Sequence, residues 1–298
     1  MILIADSGAT KTDWMTMSGQ DTKKIQTEGI NPFHQTREKM EDTIVNGLVP
    51  QLEGCCKENS GKENCSRSDF RKEDVEEIYF YGAGCLPEPS TPIREILEST
   101  FTNARVEIYT DLMGAARALC KDEAGIVCIL GTGSNSCYYD GTQIVSNVSP
   151  LGYILGDEGS GAYLGKRFIG DCLKGQLPEH LKDGLLKEYS LTVADILNRV
   201  YRQPQANRFL ASVTPYIYKH KAEPETRAFL KDCFREFFRR NLSAYDTSQK
   251  VSFTGSIAWY FREEIEEAAH EFGLITGTFL KEPIYGLQEY HSGKHSTI

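Results

Sequence analysis

Two segments of this chain share a design in which an apolar strand, a turn of small residues and a second strand follow one another. They are residues 1–17 and 124–141, and their turns, 7–12 and 131–134, are rich in glycine and hydroxyl residues. The backbone N–H groups, the hydroxyls and the lysine of such turns suit a polyphosphate. A pair of these hairpins predicts two related lobes with a nucleotide between them.

Either hairpin alone can also be an ordinary glycine-rich β-turn. Gly131 and Gly133 form half of a dinucleotide-binding fingerprint, but position 136 is serine and the following residues have a strand pattern. That context excludes the Rossmann interpretation. No segment fits the P-loop pattern either, since Arg167 stands where the Ser or Thr after Gly165-Lys166 is required.

Composition restricts the class of protein further. The 298 residues are 40% hydrophobic and 25% charged, with a formal net charge of −9. That charge argues against nucleic-acid partners and anionic membrane surfaces. No apolar run approaches the roughly 20 residues of a membrane helix, and the N-terminus lacks a signal-peptide pattern. We therefore expect a cytoplasmic protein with reduced cysteines and a homodimer as one option.

A polar stretch, residues 54–69, contains Cys55, Cys56 and Cys65. A metal clip is one interpretation of these cysteines, but their spacing matches no zinc pattern and no histidine lies near. A mobile surface loop is the favoured interpretation.

The order of predicted elements is β-β-β-α-β-α-β-α up to about residue 120, and the second half begins again with three strands. Apolar residues four apart predict a helix over 35–52, and a second helix is predicted over 259–272. We expect mixed sheets with flanking helices. The predicted domains are 1–115 and 116–298, with a helical insertion at about 160–245 and a last helix that packs back on the first domain.

Asp111 ends a predicted strand and begins a predicted helix. A carboxylate in this position can accept a proton from a substrate hydroxyl, which is nearly all the proton chemistry that phosphoryl transfer requires. The alternative is a structural helix cap, for which Asp is a favoured residue.

Residues 155–161 place Asp157 and Glu158 between glycines just before a helix. Paired carboxylates suit sugar hydroxyls, and the glycines let a ligand approach the backbone. The alternative is a capped helix with acidic residues near its positive end.

Residues 252–258 combine a strand, a Thr-Gly-Ser turn and a helix start, where a glycine would let an adenine lie against the backbone. A plain β–α turn is the alternative. Asn31, which follows the third strand, can bind a substrate or simply form a turn. The six histidines follow no catalytic pattern.

Five motifs in this order resemble the N-acetylglucosamine kinase and BadF/BcrA-type ATPase family of the actin, hexokinase and heat-shock-chaperone superfamily. The resemblance covers most of the chain and rests on residues 6–12, 110–116, 131–135, 156–160 and 254–256. It implies an α/β fold with two ribonuclease-H-like lobes around a nucleotide cleft, and ATP and Mg²⁺ as cofactors.

The resemblance also implies roles for individual residues. Asp111 would take the proton from the primary hydroxyl of a sugar, and Asp6 would hold the metal. The sugar would be bound by Asn31, Asn135, Asp157 and Glu158. The nucleotide would be bound by Ser7, Gly8, Thr10, Lys11, Thr12, Gly131, Thr132, Gly133, Thr254, Gly255 and Ser256.

The chain departs from the family pattern at three points. Ser7 and Ala9 replace two glycines of the first motif, and both are small enough for the turn to form. Residues 150–152 read Pro-Leu-Gly where family sugar kinases often have Gly-Trp-Gly, which puts the sugar specificity in question.

The leading functional hypothesis is an ATP-dependent kinase that phosphorylates N-acetylglucosamine or glucosamine at its primary hydroxyl. One alternative is a BadF-type activator of a dehydratase, with Cys85, Cys120 and Cys172 as candidate iron–sulfur ligands. The other is a nucleotide-sensing protein without catalysis, which the presence of Asp6, Asp111 and Asp157 disfavours.

Overall fold

A computed structural model describes residues 1–8, 10–19, 21–54 and 71–295 of the chain. The chain divides into two compact units, one formed by residues 1–118 and 283–298 and the other by residues 119–282. Each unit contains one five-stranded sheet. Ala9 and the cysteine-containing stretch of the polar segment, residues 55–69, lie outside the described residues.

The strands are β1 Ile2–Ser7, β2 Lys11–Ser18, β3 Asp21–Glu28, β4 Glu77–Gly82, β5 Arg105–Thr110, β6 Gly125–Leu130, β7 Ser134–Tyr139, β8 Ile144–Val148, β9 Val251–Thr254 and β10 Thr276–Leu280. The α-helices are α1 Arg37–Asp42, α2 Val49–Gly54, α3 Thr91–Thr100, α4 Asp111–Cys120, α5 Gly152–Leu155, α6 Gly161–Leu173, α7 Glu179–Glu188, α8 Val193–Tyr201, α9 Ala206–Ala211, α10 Thr214–Lys219, α11 Pro224–Phe237, α12 Ser256–Tyr260, α13 Arg262–Glu271 and α14 Pro283–His295.

The sheet of the first unit has the order β3-β2-β1-β4-β5. β1 is antiparallel to β2 and parallel to β4, and β4 is parallel to β5. The carboxyl ends of β1, β4 and β5 therefore meet at one edge, where ligands bind in open α/β sheets. One face of the sheet packs on a core that includes Leu3, Trp14 and Phe80, each fully buried.

The sheet of the second unit has the order β10-β9-β6-β7-β8, which repeats the first topology strand for strand. β6 is antiparallel to β7 and parallel to β9, and β9 is parallel to β10. This recurrence confirms the predicted fold class, because both units have the mixed sheet with flanking helices that the element order implied.

Helices α6 to α11 of the second unit follow β8 and fall within the predicted insertion. Their apolar faces share one core with the sheet, built around aromatic residues such as Phe168, Phe234 and Phe253. This core explains how a long insertion adds to the unit without a separate hydrophobic centre of its own.

Two predicted helices differ from the observed ones. The region 35–52 is helical from Arg37, but Thr43–Leu48 forms a π-helix between α1 and α2. The predicted helix 259–272 begins earlier, at Ser256, and is interrupted at Phe261, which is 1% exposed. The buried Phe261 ring thus lies at the break between α12 and α13.

The last helix, α14, belongs to the first unit. A Cβ atom on Gly286 would lie 2.5 Å from the carbonyl oxygen of Ala118, so the glycine permits a close approach to α4. Ile284 and Leu287 are fully buried. The units thus divide at residues 118 and 282, whereas the sequence placed one boundary at residue 115.

Candidate functional site

The turn of the first hairpin is tied to the chain after β3 by two buried hydroxyls. Ser7 Oγ lies 2.6 Å from Thr12 Oγ1 and donates to the carbonyl oxygen of Ile30 at 2.8 Å. The Ile30 N–H donates to both hydroxyl oxygens, at 3.0 and 3.2 Å. Both side chains are fully buried, so their hydroxyls hold the turn in place and are not available to a phosphate.

The tip of this hairpin offers a different set of groups. Gly8 closes the turn through its N–H, which donates to the carbonyl oxygen of Lys11 at 3.0 Å, and the carbonyl oxygen of Thr10 accepts from Gly29. Gly8 and Thr10 are exposed. The Lys11 ammonium is 2.8 Å from Asp13, and its side chain is 45% exposed. The lysine is therefore the cation at the exposed end of the hairpin.

Asp6 is half-buried near the carboxyl end of β1, and its register partners are Asp13 on β2 and Tyr81 on β4. Magnesium in phosphoryl-transfer sites takes one or two carboxylates together with substrate phosphates. Asp6 beside the glycine turn fits that limited role.

Asp111 is the first residue of α4, and Thr110 supplies a side-chain cap at the helix start, a role that was the alternative interpretation for Asp111. Thr110 Oγ1 accepts from the N–H of Met113 at 3.2 Å, while Asp111 Oδ1 accepts from the N–H of Leu112 at 2.9 Å. Burial raises the pKa of Asp111 above its ordinary value, and the backbone N–H groups oppose that shift. Asp111 is thus a half-buried residue whose carboxylate lies at the same sheet edge as Asp6.

Cys85, in the loop after β4, is a neighbour of Asp111 that the sequence indicated only as a candidate iron–sulfur ligand. The thiol is 5% exposed, and burial together with the charge of Asp111 raises its pKa to about 12. The thiol stays protonated at neutral pH, so it adds an apolar wall and not a charge.

Asn31 shapes the loop after β3. Its Oδ1 accepts from the N–H of Phe33 at 3.0 Å, which forms an Asx-turn. A Cβ on Gly84, in the loop after β4, would lie 2.5 Å from that oxygen. Asn31 Oδ1 thus forms the turn that was one of the two interpretations of this residue. Its short distance to Gly84 places Asn31 beside the carboxyl end of β4.

The turn of the second hairpin is docked on the start of α6. The carbonyl oxygens of Gly131 and Thr132 accept from Gly161 and Ala162 at 2.8 and 3.0 Å. Gly131 N–H closes the turn on the carbonyl oxygen of Gly133 at 2.9 Å. The N–H groups of Thr132 and Gly133 donate to no acceptor in the described part of the chain. Two adjacent donors therefore remain for an anion.

Asp157 adopts a left-handed backbone with φ of 54° and is 9% exposed. Its N–H donates to the carbonyl oxygen of Pro150 at 2.9 Å, and its Oδ1 accepts from the N–H of Ser134 at 3.3 Å. Burial raises the pKa of Asp157 to about 6, with a smaller contribution from Glu158. A strained, desolvated carboxylate beside a phosphate-type turn is typical of a functional site.

Glu158 is 7% exposed and is paired with basic and amide groups. Its Oε2 accepts from Asn241 Nδ2 at 3.3 Å, and Arg240 Nη1 lies 3.6 Å from Oε1. Lys166 donates to the carbonyl oxygen of Tyr153 at 2.8 Å, and burial lowers its pKa against the pull of both carboxylates. The Glu158 carboxylate thus has more hydrogen-bond and ion-pair partners than the Asp157 carboxylate.

Ser134 is a candidate ligand group that the sequence analysis missed. Its Oγ is buried and has no hydrogen-bond partner among the described residues, although the backbone N–H contacts Asp157. Asn135, which the sequence did indicate, uses its Oδ1 to accept from Ser136 N–H and Asn147 Nδ2, each at 2.9 Å. A serine after two turn glycines was the available signal for Ser134.

The turn after β9 lies against the second hairpin. Thr254 is fully buried and its Oγ1 donates to the carbonyl oxygen of Leu280 at 3.0 Å, so that hydroxyl is structural. Gly255 has φ of 106°, and a Cβ there would lie 2.4 Å from the carbonyl oxygen of Leu130. Ser256, the first residue of α12, is exposed. Only backbone and Ser256 remain for an adenosine.

The three cysteines named for the iron–sulfur alternative differ in burial. No group of three His, Cys, Asp or Glu side chains in the described ranges could hold a metal ion. Cys85 and Cys172 are buried, and Cys120 is partly buried. No helix among the described residues is long and apolar enough to cross a membrane.

Within each unit the predicted residues converge. Asp6, Asn31 and Asp111 lie at one sheet edge of the first unit, as described above. In the second unit the turn 131–133, Asp157 and the turn after β9 adjoin one another. The predicted meeting of both sets on one ligand stays a prediction.

A solved structure from Porphyromonas gingivalis, provisionally named an N-acetylglucosamine kinase, is 43% identical to this chain. The match covers 99% of this chain and 100% of that one, with a TM-score of 0.90. The chain belongs to the N-acetylglucosamine kinase family. The resemblance that five short motifs suggested is therefore confirmed over the whole length.

Two further relatives are more distant. An N-acetylmuramic acid/N-acetylglucosamine kinase of Clostridium acetobutylicum is 26% identical over 251 residues, which are 78% of this chain and 75% of the relative. A ROK-family glucokinase of Streptomyces griseus, solved with glucose and AMPPNP, shares the fold with a TM-score of 0.58 at 15% identity, over 93% of each chain. No protein-family model matches the chain.

Proposed function

We propose that this member of the N-acetylglucosamine kinase family transfers the terminal phosphoryl group of ATP to the primary hydroxyl of an amino sugar, N-acetylglucosamine or glucosamine. The observation that carries the proposal is Asp111, a carboxylate at the sheet edge whose pKa is raised by burial and whose helix start is also capped by Thr110. Its raised pKa makes the carboxylate a better proton acceptor than an exposed aspartate.

In the proposed reaction Asp111 accepts the proton of the sugar hydroxyl as the oxygen attacks the terminal phosphorus. The bond to the leaving oxygen breaks and ADP departs. Lys11 and the N–H groups of Thr132 and Gly133 would bind the phosphates, and Asp6 would hold Mg²⁺, which neutralises phosphate charge when bound. Ser7, Thr12 and Thr254 would act by fixing the turns, because their hydroxyls are internally bonded.

Asp157 is proposed to accept hydrogen bonds from sugar hydroxyls, with the Ser134 hydroxyl as an additional contact. Asn31, Asn135 and Glu158 would complete the sugar contacts through groups that their internal hydrogen bonds leave available. The names of two relatives support an N-acetylated hexosamine, and one of them also names N-acetylmuramic acid. A homodimer remains a prediction that size-exclusion chromatography with light scattering would test.

The test measures ADP formed from MgATP with a panel of glucosamine, N-acetylglucosamine, N-acetylmuramic acid and glucose. We expect an N-acetylated hexosamine or glucosamine to accelerate ADP release, and Asp111→Asn to reduce kcat about 10²–10⁴-fold with little change in KM. Asp42→Asn is the matched control, since Asp42 is an exposed aspartate of the same unit that accepts from Asn46.

Two results would contradict the proposal. One is that no sugar of the panel accelerates ADP release by the wild-type protein. The other is that Asp111→Asn leaves the acceleration at the level of Asp42→Asn. Nucleotide binding without turnover would instead favour the sensing alternative.

A further inference from the structure

Asp13 is a buried charge that the proposed reaction does not use. It lies on β2 two residues after Lys11 and is 2% exposed. Aspartate is depleted in strands, and desolvation penalises a buried carboxylate unless it is well paired. The strand itself gives no reason for this residue, because its core contacts are made by Trp14 on the opposite face.

The partners of Asp13 explain how the charge is tolerated. Oδ2 lies 2.8 Å from the Lys11 ammonium, at the exposed end of the hairpin. Oδ1 accepts from Gln26 Nε2 at 2.8 Å and lies 3.4 Å from the Lys24 ammonium. One carboxylate oxygen thus faces the hairpin tip, and the other is bound by groups of β3.

The balance of charge in this cluster matters for an anionic ligand. Asp13 thus pairs with one lysine at the hairpin tip and with a second on β3, so its negative charge is shared between two ammonium groups and only partly offsets the attraction of Lys11 for phosphate. Lys24, whose ammonium lies 5.2 Å from the centre of the Tyr285 ring, supplies the second positive charge. A lysine side chain loses rotamer entropy when it binds a ligand, and a fixed partner reduces that loss.

We propose that Asp13 is a positioning residue that holds the Lys11 ammonium for the terminal phosphates of a nucleotide, with Lys24 as the balancing charge. The inference rests on the proposed function, since it takes ATP as the ligand. It adds two residues, Asp13 and Lys24, that act through Lys11 and do not touch the nucleotide.

The experiment measures binding of ATP, ADP and adenosine to the full-length protein by isothermal titration calorimetry. We expect Asp13→Asn to weaken ATP about 10-fold, ADP less, and adenosine not at all. In turnover the KM for ATP should rise while the KM for the sugar is unchanged. A loss that came from a damaged hairpin would reduce binding of all three ligands and of the sugar.

A double-mutant cycle with Lys11→Met decides whether Asp13 acts through the lysine. We expect Asp13→Asn to have no further effect on ATP affinity once Lys11 is replaced. An equal loss with and without Lys11, or a parallel loss of adenosine affinity, would overturn the proposal.

Lys24→Met is a second variant that leaves Asp13 in place and keeps an apolar side chain beside Tyr285. It should weaken ATP several-fold and spare adenosine, and unchanged ATP affinity would count against the balancing role. Glu95→Gln is the matched control, because it removes an exposed carboxylate of the same unit from its ion pair with Arg37. Wild-type protein that binds no ATP would end the proposed function itself, whereas wild-type binding that Asp13→Asn leaves intact would end only this inference.

Discussion

Asp157 combines two costs at a single residue. Its backbone is left-handed, which costs a non-glycine residue of order 1 kcal/mol, and its carboxylate is desolvated so that its pKa rises to about 6. Burial therefore disfavours the ionised carboxylate, which is the stronger hydrogen-bond acceptor for a sugar hydroxyl. Both features of Asp157 lower the stability of the folded protein at neutral pH.

Asp157→Asn should lower activity and raise stability together. Because the folded pKa is above the unfolded value near 3.8, this group stabilises the protein at low pH and loses that contribution as pH rises through about 6. The uncharged amide avoids that loss and tolerates the left-handed backbone. We expect a gain of about 2 kcal/mol at pH 7.5 and a much smaller gain at pH 4.5.

The measurement is thermal unfolding of both proteins at the two pH values, with kcat/KM for the sugar at pH 7.5. Wild-type kcat/KM should also fall as pH drops below about 6. Asp140→Asn serves as the opposite control, since backbone hydrogen bonds lower the pKa of Asp140 and its replacement should destabilise at pH 7.5. A gain in stability that is the same at both pH values would refute the electrostatic account.

At this scale the sequence could indicate which residue types gather, but not which way their side chains point. Ser7 and Thr12 belong to a phosphate-type motif, yet both hydroxyls are buried on Ile30. Ser134 was passed over, yet its hydroxyl lacks a partner among the described residues. Alternation along a strand sets the direction of each side chain, and a turn of uncertain register leaves that direction open.

The turn between β9 and α12 depends on one glycine. Gly255→Ala would place a methyl group 2.4 Å from the carbonyl oxygen of Leu130 at a φ of 106°. We expect a loss of about 2–4 kcal/mol in the free energy of unfolding, because the strand end and the second hairpin must separate. Chemical denaturation measures this loss.

Gly175→Ala is the matched control for that substitution. Gly175 also has a positive φ, 67°, but a Cβ there meets nothing within 4 Å. Its replacement should cost about 1–2 kcal/mol for the backbone conformation alone. Equal losses at the two glycines would show that the close approach to Leu130 contributes nothing.

Strands were the most predictable elements, because alternation and turn residues bound them on both sides. The interior of helices was less predictable. Apolar residues four apart gave the helix over 35–52, but a π-helix at Thr43–Leu48 arises from tertiary packing that periodicity does not encode. The same holds for Phe261, whose burial ends α12.

The whole chain uses one sheet topology twice, and the order of its predicted elements was sufficient to indicate this. The sequence could not predict at which residue the chain returns from the second unit to the first, because that point depends on contacts between residues far apart in sequence. Gly286 against Ala118 is such a contact. The first unit is thus discontinuous in sequence, and the second is not.

Leu287→Ala tests that discontinuity. Leu287 is fully buried in α14, so the substitution should cost about 2–5 kcal/mol. Hydrogen exchange should rise in β1 and β4 of the first unit and stay unchanged in β6 and β9. Glu289→Ala, at an exposed position of the same helix, should change stability by no more than about 0.5 kcal/mol. An equal rise in both sheets would argue against the assignment of α14.

Helix α14 covers strands from the first residues of the sequence but is translated after the whole second unit. The first unit is therefore still incomplete when translation of the second unit ends. The ribosome releases all of residues 119–282 before the helix that completes the first unit. The strands that α14 contacts therefore lack its cover while residues 119–282 acquire their native structure. A transcript truncated before codon 283 would yield a product whose second unit is whole and whose first unit is an aggregation hazard.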